Sequence, residues 1–486
     1  MYLLDQYRGT CLSCRYTIPT HLAPADSRAR LQEAFKGALV DTIMRHPALQ
    51  VGMEDVNAKV PSWIQLQSLD LAQHITWVSI DAHDDFEQTV QQTICTQLDD
   101  RFPDPEIKLP NWKVTILRQE DDPAMEVLLT WNHPQFDGAG ARVIHEDLLR
   151  LLNAQDGAPV ERTSLDGDIL TLPSTPLLLP APLEVVKSMP VDIKFLAKAF
   201  WEDIQPQFLN RDISLATWCP IRSTPYKTQY RAFFVDRTAL GAILALCRQH
   251  KTTITGLING LALIAFSSRL DSNVAQAFQS STCIDHRRNM PPPPPEASWG
   301  TSDRAVGNYV TQLPHVYDTN LVALIRSMLP ADAASTGGLD LSADLQRELW
   351  AVSAQNRLEI VQKLEDGLRN DIVGLFKYVG DWKQTMRGMA KKKRQFTWLV
   401  TNIGVLDGGG GKSGDADRSQ RWSIERAQFG LSAEIPAAAI EFAPVSVAGG
   451  AMCVGAQWPD CAVDVTFGDA IMADLERWLG QLAREA

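Results

Sequence analysis

Apolar residues recur at every third or fourth position in some stretches of this chain and alternate with polar ones in others. The two periods sort it into helices and strands. Leu31, Phe35, Leu39 and Ile43 form one stripe, predicting a helix from about Asp26 to Arg45. It closes at His46-Pro47, because proline disfavours helix in the residue before it. Further helices are predicted over Asp85–Asp99, Ala141–Asn153, Ile193–Glu202, Arg237–His250, Thr255–Leu270 and Asp469–Ala483, with helical pattern also between Leu341 and Ala390. Strands are predicted over Gly9–Ile18, Ser62–Leu66, Ile75–Ile80, Trp112–Arg118, Met125–Trp131, Gln229–Val235 and Phe396–Thr401, and in a run ending at Cys283-Ile-Asp285. The acidic Glu120-Asp121-Asp122-Pro123 predicts a turn pairing two of them. Both halves mix the two kinds of element, so the expected class is α/β with mixed sheets.

From Asp156 to about Arg222 the pattern dissolves into prolines and mixed segments. A chain of 486 residues, 45% hydrophobic, is long for one core, and two lobes are expected, 1–180 and 226–486, joined by a crossover over 181–225. No stretch offers the ~18 unbroken apolar residues of a membrane span; the most apolar window, Ile254–Phe266, carries Thr255, Asn259 and two glycines and reads as a buried helix. The first residues lack a charged-then-apolar signal layout, so the expected location is the cytoplasm. The five prolines Pro291 to Pro295 read as a stiff extended loop, and Gly408 to Gly414 as a surface loop.

Net charge of −12 argues against a nucleic-acid surface. Eight cysteines in this length make no disulfide scaffold, and Cys11-Leu-Ser-Cys14, without a second pair, reads as two reduced strand cysteines. Three signatures fail. Gly411-Lys412-Ser413 ends like a phosphate-binding loop, but Leu406 stands where its first glycine belongs; His145-Glu146 opens a zinc-protease motif whose second histidine position is Leu149; and no G-x-S-x-G elbow exists.

What remains is Trp131-Asn-His133-Pro-Gln-Phe-Asp137-Gly138-Ala-Gly140. A strand runs into it and a helix leaves it, and Asp137 with the small residues after it suits a sharp change of direction. His133 is thereby projected from a fixed strand end, which suits a general base; a purely structural histidine is the other reading. Elsewhere stand Arg45-His46-Pro47-Ala48-Leu49, Asp285-His-Arg287-Arg288 followed by prolines and Gly307-Asn308-Tyr309-Val310, and Phe396-Thr-Trp-Leu-Val-Thr401-Asn402-Ile403-Gly404.

In their order and spacing from Arg45 to Gly404, these segments resemble the H-x-x-x-D-G acyltransferase superfamily, nearest its alcohol acetyltransferase and trichothecene-type O-acetyltransferase branch. One departure is plain: plant-type BAHD members carry D-F-G-W-G, whereas the nearest match here is Gln428-Phe429-Gly430-Leu431. The resemblance implies two chloramphenicol-acetyltransferase-like lobes with an active-site tunnel between them. It implies an acetyl-CoA or other acyl-CoA thioester as co-substrate, no metal, and a small apolar alcohol as acceptor, with a carrier-protein donor as a variant and a monomer as the working state. By the family pattern His133 is the general base, and Asp137 pairs with Arg287 to brace the histidine turn. Gly138 permits close backbone approach, and Thr401 or Asn402 donates to the oxyanion unless it merely caps its own turn. Lys391, Lys392, Lys393 and Arg394 attract donor phosphates or form a solvated helix end. A condensation or cyclisation enzyme and a non-catalytic binding protein on the same scaffold stay open as alternatives.

Overall fold

The computed structural model describes every residue except 59–60, 103–108, 121, 155–162, 206–208, 223–224, 331–337 and 411–418. Parts of the crossover, Asp121 of the acidic turn and the Gly411-Lys412-Ser413 stretch therefore lie outside the described residues. Two large sheets dominate. One runs Ser423–Leu431, Thr10–Thr17, Ala124–Trp131, Trp112–Gln119, Ile75–Ile80. The other runs Thr228–Val235, Met452–Pro459, Ile440–Val447, Trp398–Val400, Phe278–Asp285, Val310–Tyr317, with Val405–Leu406 pairing beside Ile440–Val447. Parallel and antiparallel neighbours occur in both, so the α/β class with mixed sheets holds.

The C-terminal stretch enters the first sheet: Ser423–Leu431 pairs antiparallel with Thr10–Thr17 at that sheet's edge. It joins the final hairpin, Ile440–Val447 with Met452–Pro459, and the strand Val310–Tyr317 as elements the hydropathy pattern did not predict. For the hairpin the reason is physical. Every residue of Met452–Pro459 is buried, and a strand covered on both faces loses the alternation that would announce it.

Helices Arg28–Arg45 and Gly138–Ala154 pack on the first sheet, and their apolar faces share one core with Leu12, Val127 and Leu129. On the second sheet, Ile254–Arg269 is buried over nearly its whole length and meets Phe278, Trp398 and Ile440, as its apolar composition implied. No described helix is long and apolar enough to cross a membrane.

Candidate active site

The strand Ala124–Trp131 is wholly buried and delivers His133 two residues past its end. Several bonds hold that exit. Trp131 Nε1 donates to the Phe136 carbonyl at 2.6 Å and stacks on the Phe136 ring. Gln135 Nε2 donates to the carbonyls of Ala48 and Val51, which ties the Arg45-His46-Pro47-Ala48-Leu49 segment beneath the turn. His46 of that segment is buried against Asp147 at 2.9 Å; Arg304 and Arg150 also reach Asp147. This motif docks one helix on another.

Gly138, Ala139 and Gly140 differ from expectation. They form the first turn of the helix Gly138–Ala154 and not a bend before it. The cause is Asp137, whose Oδ1 accepts from the Gly140 N–H at 2.8 Å while its carbonyl accepts from Ala141, as a helix cap does. Gly138 is needed for space: a Cβ there would lie 2.7 Å from Ile403 and 2.8 Å from Phe429. The helix start is thus pressed against the segment after Thr401 and against the Phe429-Gly430 pair, whose Phe429 ring also stacks on Trp131.

Asp137 and Arg287 form a bidentate pair, Nη2 to Oδ1 at 2.7 Å and Nη1 to Oδ2 at 2.9 Å, in full burial. Oδ2 accepts as well from the Tyr309 N–H at 2.9 Å. Arg287 spends its remaining donors on the carbonyls of Ala305 and Gly307 and on Asp285. Burial opposes its charge, yet the two aspartates more than offset that and hold the guanidinium above its ordinary range. Both Asp137 oxygens are committed to these donors, so its carboxylate acts on His133 through the turn and not by direct contact.

His133 keeps part of its surface accessible although protein packs closely around the ring. Burial lowers its pKa from 6.5; the Asp137 charge and a hydrogen bond to its own backbone carbonyl offset this only in part. The Tyr7 ring meets the imidazole edge-on at 5.7 Å. Asn308 Nδ2 donates to the carbonyls of His133 and Pro134 at 2.9 and 3.1 Å. The Gly307-Asn308 pair thus fixes the main chain that carries the base.

Thr401 and Asn402 lie at the end of Trp398–Val400. Asn402 is consumed by its surroundings: Nδ2 donates to Thr255 Oγ1, and Oδ1 accepts from the Gly404 N–H. The turn-capping reading is the one its geometry matches. The Thr401 N–H donates to the Phe442 carbonyl, and its hydroxyl bonds the Cys283 thiol. Arg394 departs from the basic-patch expectation. It is fully buried and donates to the carbonyls of Cys219, Ile435, Ala437 and Ala438, where no donor phosphate reaches it. Lys393 donates to the Asn210 carbonyl, and Lys392 is half-buried. Of the neighbours of His133, Tyr7 was assigned no part from sequence, and Asn308 only the structural part that the family's Gly-Asn pair implies. Tyr7 carries no motif, and the Gly-Asn pair gave no sign of which main chain it holds. Among the described residues, no cluster of three or more histidine, cysteine, aspartate or glutamate side chains is arranged as a metal site.

Comparison with known proteins gives this geometry its class. The trichothecene 15-O-acetyltransferase TRI3 of Fusarium sporotrichioides superposes with a TM-score of 0.63 over 99% of this chain and 91% of its own, at 14% identity; that likeness is one of fold. A family model described as alcohol acetyltransferase matches residues 80–318, which include the His133 turn and Arg287. The chain is an acyltransferase enzyme. More narrowly, it is a relative of the alcohol acetyltransferases. It is 23% identical to the probable alcohol acetyltransferase FCK4 of Fusarium pseudograminearum, over 96% of this chain and 90% of that protein. To the probable alcohol acetyltransferase crmB of Aspergillus fumigatus it is 22% identical, over 96% and 93%.

Proposed function

We propose that this protein transfers an acetyl group from acetyl-CoA directly to a hydroxyl of a small, largely apolar secondary-metabolite-like alcohol, with His133 as general base. An alcohol attacks well only as its proton leaves, whereas the departing thiol, with a pKa of about 8.5 in simple cases, needs no metal to depart. A ring whose hydrogen bond runs to its own carbonyl makes it through Nδ1, the only nitrogen within reach. Nε2 then keeps a lone pair for the acceptor proton. The oxygen attacks the thioester carbon, the tetrahedral oxyanion takes a hydrogen bond from the Thr401 hydroxyl, and collapse expels the thiol, which recovers the proton from His133. No acyl-enzyme forms. Asp137 and Arg287 are positioning residues that brace the turn.

The observation that carries this reading is the imidazole itself: held by its own carbonyl, kept neutral by burial, and set on a turn clamped by a buried ion pair. All eight cysteines are unpaired, which supports a reducing compartment such as the cytosol. The test is thiol release from acetyl-CoA with a panel of primary, secondary and sterol-like alcohols. Turnover that needs both acetyl-CoA and an alcohol supports the proposal. Release that is independent of any alcohol, or an acyl group carried only by a carrier protein, refutes it.

A further inference from the structure

Beyond His133, the second sheet turns an unusual row of side chains toward the first. Paired residues on neighbouring strands share a face. Ser281 pairs with Leu399, Leu399 with Glu441, and Glu441 with Gln457. The residues beside them, Val400, Phe442 and Ala456, point the other way into the apolar core. Ser281, Glu441 and Gln457 are 0%, 4% and 1% exposed. Glu441 Oε2 accepts from Gln457 Nε2 at 3.2 Å, yet Glu441 Oε1, Gln457 Oε1 and Ser281 Oγ have no partner among the described residues. Buried polar atoms without partners are rare enough that each needs a reason, and here three fall on one row.

The row and His133 share neighbours. Cys283 lies two residues along its strand from Ser281, bonds Thr401, and feels the charges of Glu441 and Asp137 together. Tyr7, which meets His133 edge-on, feels Glu441 and its neighbour Glu434 as well. Both glutamates are held above the ordinary carboxyl range, chiefly by burial. The unpartnered Gln457 oxygen is an acceptor, and Glu441 Oε1 accepts once the carboxyl is ionised, so the chemistry that completes this place is a hydrogen-bond donor.

We propose that Glu441 and Gln457 form the far end of the acceptor site and bind a second hydrogen-bond-donating group of the acceptor, a hydroxyl or an amine distal to the hydroxyl that is acetylated. The proposal rests on the reading of His133 as the base of an O-acetyltransferase and narrows its substrate from an apolar alcohol to a bifunctional one. Neutral and cationic donors share the needed chemistry, and the experiment separates them.

The probes are α,ω-diols from butanediol to octanediol, the matching 1-alkanols and the matching ω-amino alcohols, each acetylated from acetyl-CoA. The wild-type protein should favour diols or amino alcohols over the equal-length 1-alkanol by at least about tenfold in kcat/KM at one or more chain lengths, because a site built to hydrogen-bond a polar group penalises the analogue lacking it. Replacing both partners by apolar side chains of similar shape (Glu441→Met with Gln457→Met) removes the pair without stranding either half. It should reduce that preference to within about threefold, read as the ratio of diol to 1-alkanol kcat/KM in the same variant. If the double variant does not fold, Glu441→Gln replaces it and should weaken the preference for amino alcohols more than that for diols. No preference in the wild type at any length, or one that survives the substitution, overturns the proposal. Calorimetric binding of 1,6-hexanediol against 1-hexanol to His133→Ala needs no turnover. A diol preference there, with no acetyl transfer by the wild type, keeps this site and rejects the catalytic reading; no preference rejects the site whatever the turnover.

Discussion

At the level of single residues, proton transfer needs a ring that stays neutral. Burial lowers the His133 pKa below 6.5, and only the unprotonated form accepts a proton. The acid limb of kcat/KM at saturating acetyl-CoA should therefore lie below the ordinary imidazole value of about 6.5, with activity flat from neutrality down to it and lost beneath it. A limb at or above that value contradicts the assignment. Asn308 offers a finer test, being exposed yet bonded to the carbonyl of His133. Asn308→Ala should lower kcat about tenfold with little change in KM or melting temperature, since it loosens orientation without opening a core; equal losses in both kinetic constants point to a role in binding instead. His133 was legible because strand pattern, proline and Asp-Gly converge within ten residues. Glu441 was not: a lone acid in the apolar run Ala437–Val447 gives no sign of what it faces until strands are paired.

Among elements, the helix Gly138–Ala154 is fixed from outside its own sequence. Its cap, Asp137, is held by Arg287 on the far side of the chain, and its first glycine is pressed on Ile403 and Phe429. Removing one partner of a buried pair leaves the other uncompensated, so Asp137→Ala and Arg287→Ala should each cost about 3–5 kcal/mol in chemical denaturation. Arg287→Lys should rescue little, because an ammonium cannot supply the two parallel bonds. Gly138→Ala should reduce activity and stability together, as the added methyl forces apart the segments around the site; a variant with wild-type melting temperature and kcat would show that this approach is not tight. Helix and strand periods made most of these elements legible. Among the strands left out, Met452–Pro459 is buried on both faces and shows no alternation, whereas Val310–Tyr317 is partly exposed and was missed without that cause.

For the whole molecule, the strand that closes the first sheet arrives from the end of the chain. A division into lobes at residues 180 and 226, proposed from composition alone, would then not yield independent folding units. A fragment of residues 1–225 lacks the partner of Thr10–Thr17 and should be insoluble alone, with soluble protein recovered on co-expression with 226–486. Sequence composition carries no record of such an exchange, because strand pairing over this distance leaves no local period. Whether one imidazole performs the proton transfer is read from the acetylation rate of His133→Ala beside wild type, with a responsive alcohol and acetyl-CoA. The expected variant keeps its melting temperature while its kcat falls by about 10²–10⁴-fold, the usual worth of a general base. A folded variant that turns over at the wild-type rate would contradict that role.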